Sequence, residues 1–188
     1  MNNKLATALA GGAVLALALT GCGDDGNKEL ESWSKKVCDR VQPQVKKIED
    51  ANDSIDQASK GDTSSKDVKE TDSKAFSDIS DAYGSLSKAV DNAGAPPVDD
   101  GEKLQKDAVK ELNALSTQYG DLKKRVDKLE TKDQGKFAEG LKGIASELEK
   151  LGKSGDKSLS KLQSGEVGEA MGKQKGCQRA PGGEDTSS

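Results

Sequence analysis

The stretch GEKLQKDAVKELNALSTQYGDLKKRVDKLE, residues 101–130, decides the fold class. Its apolar residues, Leu104, Ala108, Leu112, Leu115, Tyr119, Leu122, Val126 and Leu129, recur in steps of three and four. That spacing lays them along one stripe of an α-helix and leaves Lys, Asp and Glu on the other faces. No segment alternates apolar and polar residues with period two over a useful length, so no strand competes with this reading.

Outward from this helix the same period recurs three times. Upstream, Val68, Ala75, Ile79, Ala82, Tyr83, Leu86, Ala89 and Val90 mark a helix that Asn92-Ala93-Gly94-Ala95-Pro96-Pro97 must stop, because Gly ends helices and Pro cannot continue them. Asp99-Asp100-Gly101-Glu102 then offers the acid-x-x-Glu spacing of a capping box. Further upstream, Leu30, Trp33, Val37, Val41, Val45, Ile48 and Ile55 form a first stripe, with Pro43 inside it predicting a kink or a fresh helix start. The break between these two segments is Gly61-Asp62-Thr63-Ser64-Ser65. Downstream, Thr131-Lys132-Asp133-Gln134 is a second capping-box pattern, followed by Phe137, Leu141, Ile144, Leu148, Leu151, Leu159 and Leu162. Gly140, Gly143, Gly152 and Gly155 interrupt this fourth helix, each costing about 1 kcal/mol relative to Ala. A short piece around Val167–Met171 follows. Four amphipathic segments joined by short loops predict an all-α fold, a slender antiparallel up-down four-helix bundle with helices of about 42 Å. Coiled-coil-like hairpins are the alternative arrangement of the same stripes.

The N-terminus has a different composition. A short positive start ending at Lys4 precedes an apolar run from Leu5 to Leu19, too short and too rich in Ala and Gly to span a bilayer. The run ends in Leu19-Thr20-Gly21-Cys22, which resembles the lipobox of bacterial lipoproteins. That resemblance implies a diacylglyceryl group, with palmitate-type acyl chains, on Cys22 and removal of residues 1–21 as signal peptide. It places the chain on the extracytoplasmic face of the cell membrane, with the membrane as partner through the lipid on Cys22. Ala16-Leu17-Ala18 permits the competing reading of ordinary cleavage and a soluble secreted protein.

The chain has three cysteines, and an odd number in an exported protein needs an explanation. Lipidation of Cys22 leaves Cys38 and Cys177 as a pair in a compartment where disulfides persist. A bond between them would close nearly the whole domain and on the chain-entropy account contribute about 5 kcal/mol. Two separate core thiols or a redox site are the alternatives. The expected organisation is therefore residues 1–21 as signal peptide, 22–29 as lipidated cysteine and flexible spacer, 30–177 as the disulfide-tied bundle and 178–188 as a disordered tail.

Composition narrows the function. Removing residues 1–21 takes one of the 29 basic residues and none of the 33 acidic ones, so the net charge moves from −4 to −5. This argues against nucleic acid as a partner. The basic group Lys123-Lys124-Arg125 with Lys128 is interleaved with Asp121, Asp127 and Glu130 and reads as a solvated helix face. The absence of histidine removes Ser-His-Asp and Cys-His catalysis, imidazole zinc sites and the Glu-x-x-His di-iron pattern. Gly152-Lys153-Ser154 lacks the first glycine and the strand of a P-loop, and no calcium loop is present. Asp50, Asp53 and Asp56 share a helix side, more simply a solvated acidic face than a cation site. No cofactor is expected. Trp33 is either a core anchor or a contact for a ligand or partner, and the second role makes it the candidate contact residue. Tyr83 and Tyr119 fall on apolar stripes and read as core.

The segment Trp-Ser-Lys-Lys-Val-Cys-Asp-Arg-Val-Gln-Pro-Gln-Val, residues 33–45, with the late Gly176-Cys177-Gln178, resembles small lipoproteins of high-GC Gram-positive bacteria. That group, without an established activity, implies an address and a disulfide-tied helical domain and supplies no site residues. The expected function is a non-catalytic cell-envelope module in contact with an envelope protein, a wall polymer or lipid. The alternative is a carrier that admits a small apolar ligand or lipid between helices opened at the glycine-rich fourth segment.

Overall fold

Small residues hold the second and third helices together at close range. The computed structural model describes residues 23–60 and 62–178, with backbone alone for 23–25, 152–159 and 161. The expected signal peptide, Cys22 and the tail from 179 to 188 lie outside the described residues. Among them the elements are helical throughout: α1 (Gly23–Lys60), α2 (Ser65–Ala93), α3 (Gly101–Asp127), α4 (Gln134–Leu162), α5 (Gly165–Gly172) and a 3-10 turn, Lys175–Cys177. Consecutive long helices pack on one another, and α5 and the 3-10 turn fold back onto α1. The chain is thus a helical bundle, up and down, with α2 and α3 at its centre. At 1.5 Å per residue, α1 with its 38 residues runs about 57 Å, and the other three run about 41–44 Å.

Two apolar clusters fill the bundle. One joins Leu30, Trp33, Val37 and Cys38 of α1 to Leu86 and Val90 of α2, Ala108 and Leu112 of α3, Leu162 of α4 and Val167, Ala170 and Met171 of α5. The other joins Ala51, Ala75, Phe76, Ile79, Leu122, Val126 and Ile144 at the opposite end. Between α2 and α3, Ser80 Oγ donates to the Ser116 carbonyl at 2.7 Å and Ser116 Oγ donates to the Ser80 carbonyl at 2.8 Å. Gly84 lies against Ser116 and Gly120 against Ser80. Nothing bulkier than a hydroxymethyl separates the two backbones here, so the helices approach more closely than Leu-sized contacts permit.

Several local expectations change. The helix α1 is continuous through the exposed Pro43, because a missing backbone donor on the solvent side of a long helix packed elsewhere is tolerated. Past Pro43 the expected stripe is kept at Ile48 and Ile55 but broken at position 45. Gln44 and Ile48 turn inward and Val45 is 39% exposed, whereas the sequence stripe had placed Val45 in the core. Residues 23–29, within the expected spacer, are helical as the start of α1, and the side chains of 26–29 are exposed. Leu30 is the first buried side chain among those described.

The two expected capping boxes do not form either. At α3 the cap residue is Asp100, in the left-handed region at φ 59° and without a side-chain cap bond. The turn is instead made by backbone: Val98 N–H donates to the Pro96 carbonyl at 2.8 Å and Gly101 N–H to the Val98 carbonyl at 3.0 Å. A Cβ at position 101 would strike the Pro96 carbonyl, so only glycine fits there. At α4 the cap is Asp133, two residues later than Thr131, with Oδ1 accepting from Lys136 N–H at 3.1 Å. At α2 Ser64 caps, its Oγ accepting from Asp67 N–H at 3.2 Å.

The serine seam is testable by thermal unfolding followed by circular dichroism. Ser116→Leu should overpack it, cost about 1–3 kcal/mol and lower Tm by several degrees. The Ser80→Ala, Ser116→Ala pair should cost about 1–2 kcal/mol through the two lost hydrogen bonds. An unchanged Tm in Ser116→Leu would mean the helices are not held close.

Candidate functional site

Of the residues singled out from the sequence, Trp33, Cys38 and Cys177 gather at one end of the bundle, and Cys22 lies outside the described residues. Trp33 is 5% exposed and its indole Nε1–H donates to the Gly94 carbonyl at 2.8 Å. The ring fills the first apolar cluster, and its one polar atom ties α1 to the end of α2. Trp33 thus takes the first of the two roles read for it, a core anchor, and leaves little of its surface exposed. Four to five residues on, one turn along the same face, Val37 and Cys38 are fully buried. Cys38 is bonded to Cys177, 139 residues away in sequence. Gly176, next to Cys177, sits so close to the Cys38 carbonyl that a Cβ there would collide with it. The expected pairing of Cys38 with Cys177 thus holds.

The charged candidates are spread along the surface and neutralised locally. Asp50 pairs with Lys46 at 2.8 Å and Asp56 with Lys60 at 2.5 Å, both one helical turn apart and exposed. Their acidic face is thereby a set of i,i+4 pairs, each worth a few tenths of a kcal/mol. In the basic group, Lys123 pairs with Asp127 at 2.7 Å, Lys124 with Asp121 at 2.8 Å, and Arg125 reaches across to Glu147 of α4. A second link between helices runs from Ser73 Oγ to Asp127 Oδ1 at 2.6 Å. Lys123 and Ser73 together hold the Asp127 carboxyl below the usual range. No group of His, Cys, Asp or Glu among the described residues has the arrangement to hold a metal ion. The backbone through Gly152-Lys153-Ser154 is helical, within α4, and so makes no phosphate-binding loop.

Tyr83 and Tyr119 stack across the α2–α3 interface, with ring centroids 5.5 Å apart and planes at 22°, and Phe76 lies tilted beside Tyr119 at 6.1 Å. Burial raises both phenols, and with Tyr83 nearby it pushes Tyr119 up to about 12.

Among the described residues, two of the concavities at the surface are wide enough to consider as binding sites. One, of about 690 Å³, lies over the α2–α3 turn and is lined by Pro96, Val98, Asp99, Asp100, Glu102, Lys103 and their neighbours. The other, of about 570 Å³, runs between α1 and α2 with Ala51 and Ala75 as floor and Lys47, Asp50, Lys74, Asp78 and Asp81 as walls. Both are open and rimmed by charges of both signs. They lack the enclosed apolar lining that an apolar ligand needs.

The sequence reading missed Asp72. It is 6% exposed, its Oδ1 has no hydrogen-bond partner, and burial raises its carboxyl to about 6. The signal was present in its position, on the inner stripe between Val68 and Ala75, where an apolar residue is expected. Ser34 is likewise buried without a partner for its hydroxyl. Comparison with protein-family models, with curated proteins and with solved structures gives no match to this chain.

A folded-state carboxyl raised from 3.8 to about 6 holds its proton more tightly than in the unfolded chain. The folded form then binds more protons than the unfolded form between those two values, so stability falls as pH rises through that window and levels off above it. Asp72→Asn should flatten this fall and be more stable than the parent at pH 7 by on the order of 1–3 kcal/mol. Urea unfolding at pH 4, 5, 6 and 7 reads it out, and parallel pH profiles for the two chains would show that Asp72 is solvated.

Proposed function

We propose that the chain is a lipoprotein held at the extracytoplasmic face of the cell membrane, and that its helical bundle is a non-catalytic interaction module. The observation that carries this reading is cysteine pairing. With Cys38 bonded to Cys177, the chain's third cysteine is Cys22, which stands where the apolar N-terminal run ends in Leu-Thr-Gly-Cys. A disulfide is stable in an oxidising compartment, and an unpaired cysteine in such a compartment needs a fate. Thioether lipidation of Cys22 supplies both the fate and the address.

Other features point the same way. No helix among the described residues is long and apolar enough to cross a membrane, so attachment would fall to the lipid. The chain has no histidine, and its lysines and carboxylates pair along helix surfaces, which leaves little with which to build a general acid–base site. Contact with an envelope protein, wall polymer or lipid would use these outer helix faces, dense in Lys–Asp pairs, with Val45 as an exposed large apolar side chain. The alternative of an apolar-ligand carrier draws no support from either surface concavity.

In a detergent phase-partition assay of the expressed chain, the wild type should enter the detergent phase and Cys22→Ser should remain aqueous or unprocessed. A Cys22→Ser protein that still partitions into detergent, or a wild type that never does, overturns the lipid anchor.

A further inference from the structure

The last described segment, from Gly165 to Gln178, is poorly equipped to hold itself together. Its helix α5 has eight residues, well short of the length at which an isolated helix persists in water. Glycines at 165, 168, 172 and 176 lower its helix propensity further. Gly165 has φ 61°, a left-handed turn that separates α5 from α4. The segment packs chiefly on α1, with slight contact to α4. Its contribution to the core is Val167, Ala170 and Met171, which close the cluster containing Leu30, Trp33, Val37 and Cys38. The second apolar cluster contains no residue of this segment.

What keeps so weak an element in place is the bond from Cys177 to Cys38, which holds its end at α1 and makes the docking of three apolar side chains an intramolecular event. The two cysteines differ in burial as residues: Cys38 is fully buried, whereas Cys177 is only partly covered on its 3-10 turn. We propose that residues 165–178 are a redox-released strap: reduction of Cys38–Cys177 by a dithiol frees this segment from α1 while the four long helices stay folded. A thiolate of the dithiol attacks the Cys177 sulfur, the Cys38 sulfur departs with the bonding electron pair and takes a proton, and the second thiolate of the reductant displaces Cys177 as a thiol. The protein gains two electrons and two protons, and the dithiol becomes a disulfide. Release uncovers the apolar trough of Leu30, Trp33 and Val37.

The chain's single tryptophan, Trp33, reports on the event. In the full chain, dithiothreitol should raise amide exchange across 165–178 by about tenfold or more, while exchange in the middle of α2 and α3 changes by less than about twofold. Trp33 emission should shift to the red, and helical circular dichroism should fall only by the share of α5. The Cys177→Ser chain without reductant should behave as the reduced protein does. Unchanged exchange at 165–178 with both thiols titrated free would overturn the strap, and so would a uniform rise in every helix, which would make the bond a staple of the whole domain.

Discussion

Close approach of α2 and α3 is the constraint from which the remaining packing follows. Ser80 and Ser116 each give a hydroxyl proton to the other's backbone carbonyl, and Gly84 and Gly120 leave room beside them. Ser87 Oγ continues the seam to the Val109 carbonyl at 3.3 Å. Because the hydroxyls are spent on opposing carbonyls, polar atoms are accommodated inside the bundle at little cost. With this pair fixed, α1 docks on α2 and α4 on α3, and each buries the stripe it carries.

The attachment of α1 is uneven along its length. At its beginning it is fastened by Trp33 to Gly94, by Cys38 to Cys177 and by the apolar cluster around them. Farther on, beyond Pro43, α1 contributes the half-buried Gln44, Ile48 and Ile55 and the small, buried Ala51. Asp72 adds an unpartnered carboxyl to the buried face of α2. The fastenings of α1 are therefore concentrated around Trp33 and Cys38, in the first half of that helix.

How much of this was legible follows residue type. Apolar periodicity marked the four long helices, since a stripe at steps of three and four has one stable use in a chain without strands. The Gly94-Ala95-Pro96-Pro97 stop and the Cys38–Cys177 pair were also readable, because backbone stereochemistry and cysteine parity are local or countable. Caps were less legible. Asp100 and Asp133 displace the expected Asp99 and Thr131 because each turn is settled by which carbonyl lies within reach of which amide. Asp72 and Ser34 were passed over as buried groups because polarity in a sequence argues for exposure, although Asp72 stands on the inner stripe of α2.

Of the proposed function, the linear chain carries the main elements: an apolar N-terminal run followed by Cys22, an uneven number of cysteines and the lack of histidine. It fixes these because they depend on composition and order alone. The inward turn of Trp33, the break in the stripe that exposes Val45, the serine seam and the fold-back of α5 onto α1 depend on where other helices lie. A side chain 5% exposed and one 39% exposed can be equally apolar in sequence, as Trp33 and Val45 are. Which of them meets water is settled only when neighbouring backbones arrive within contact distance, since burial is a property of the packed whole.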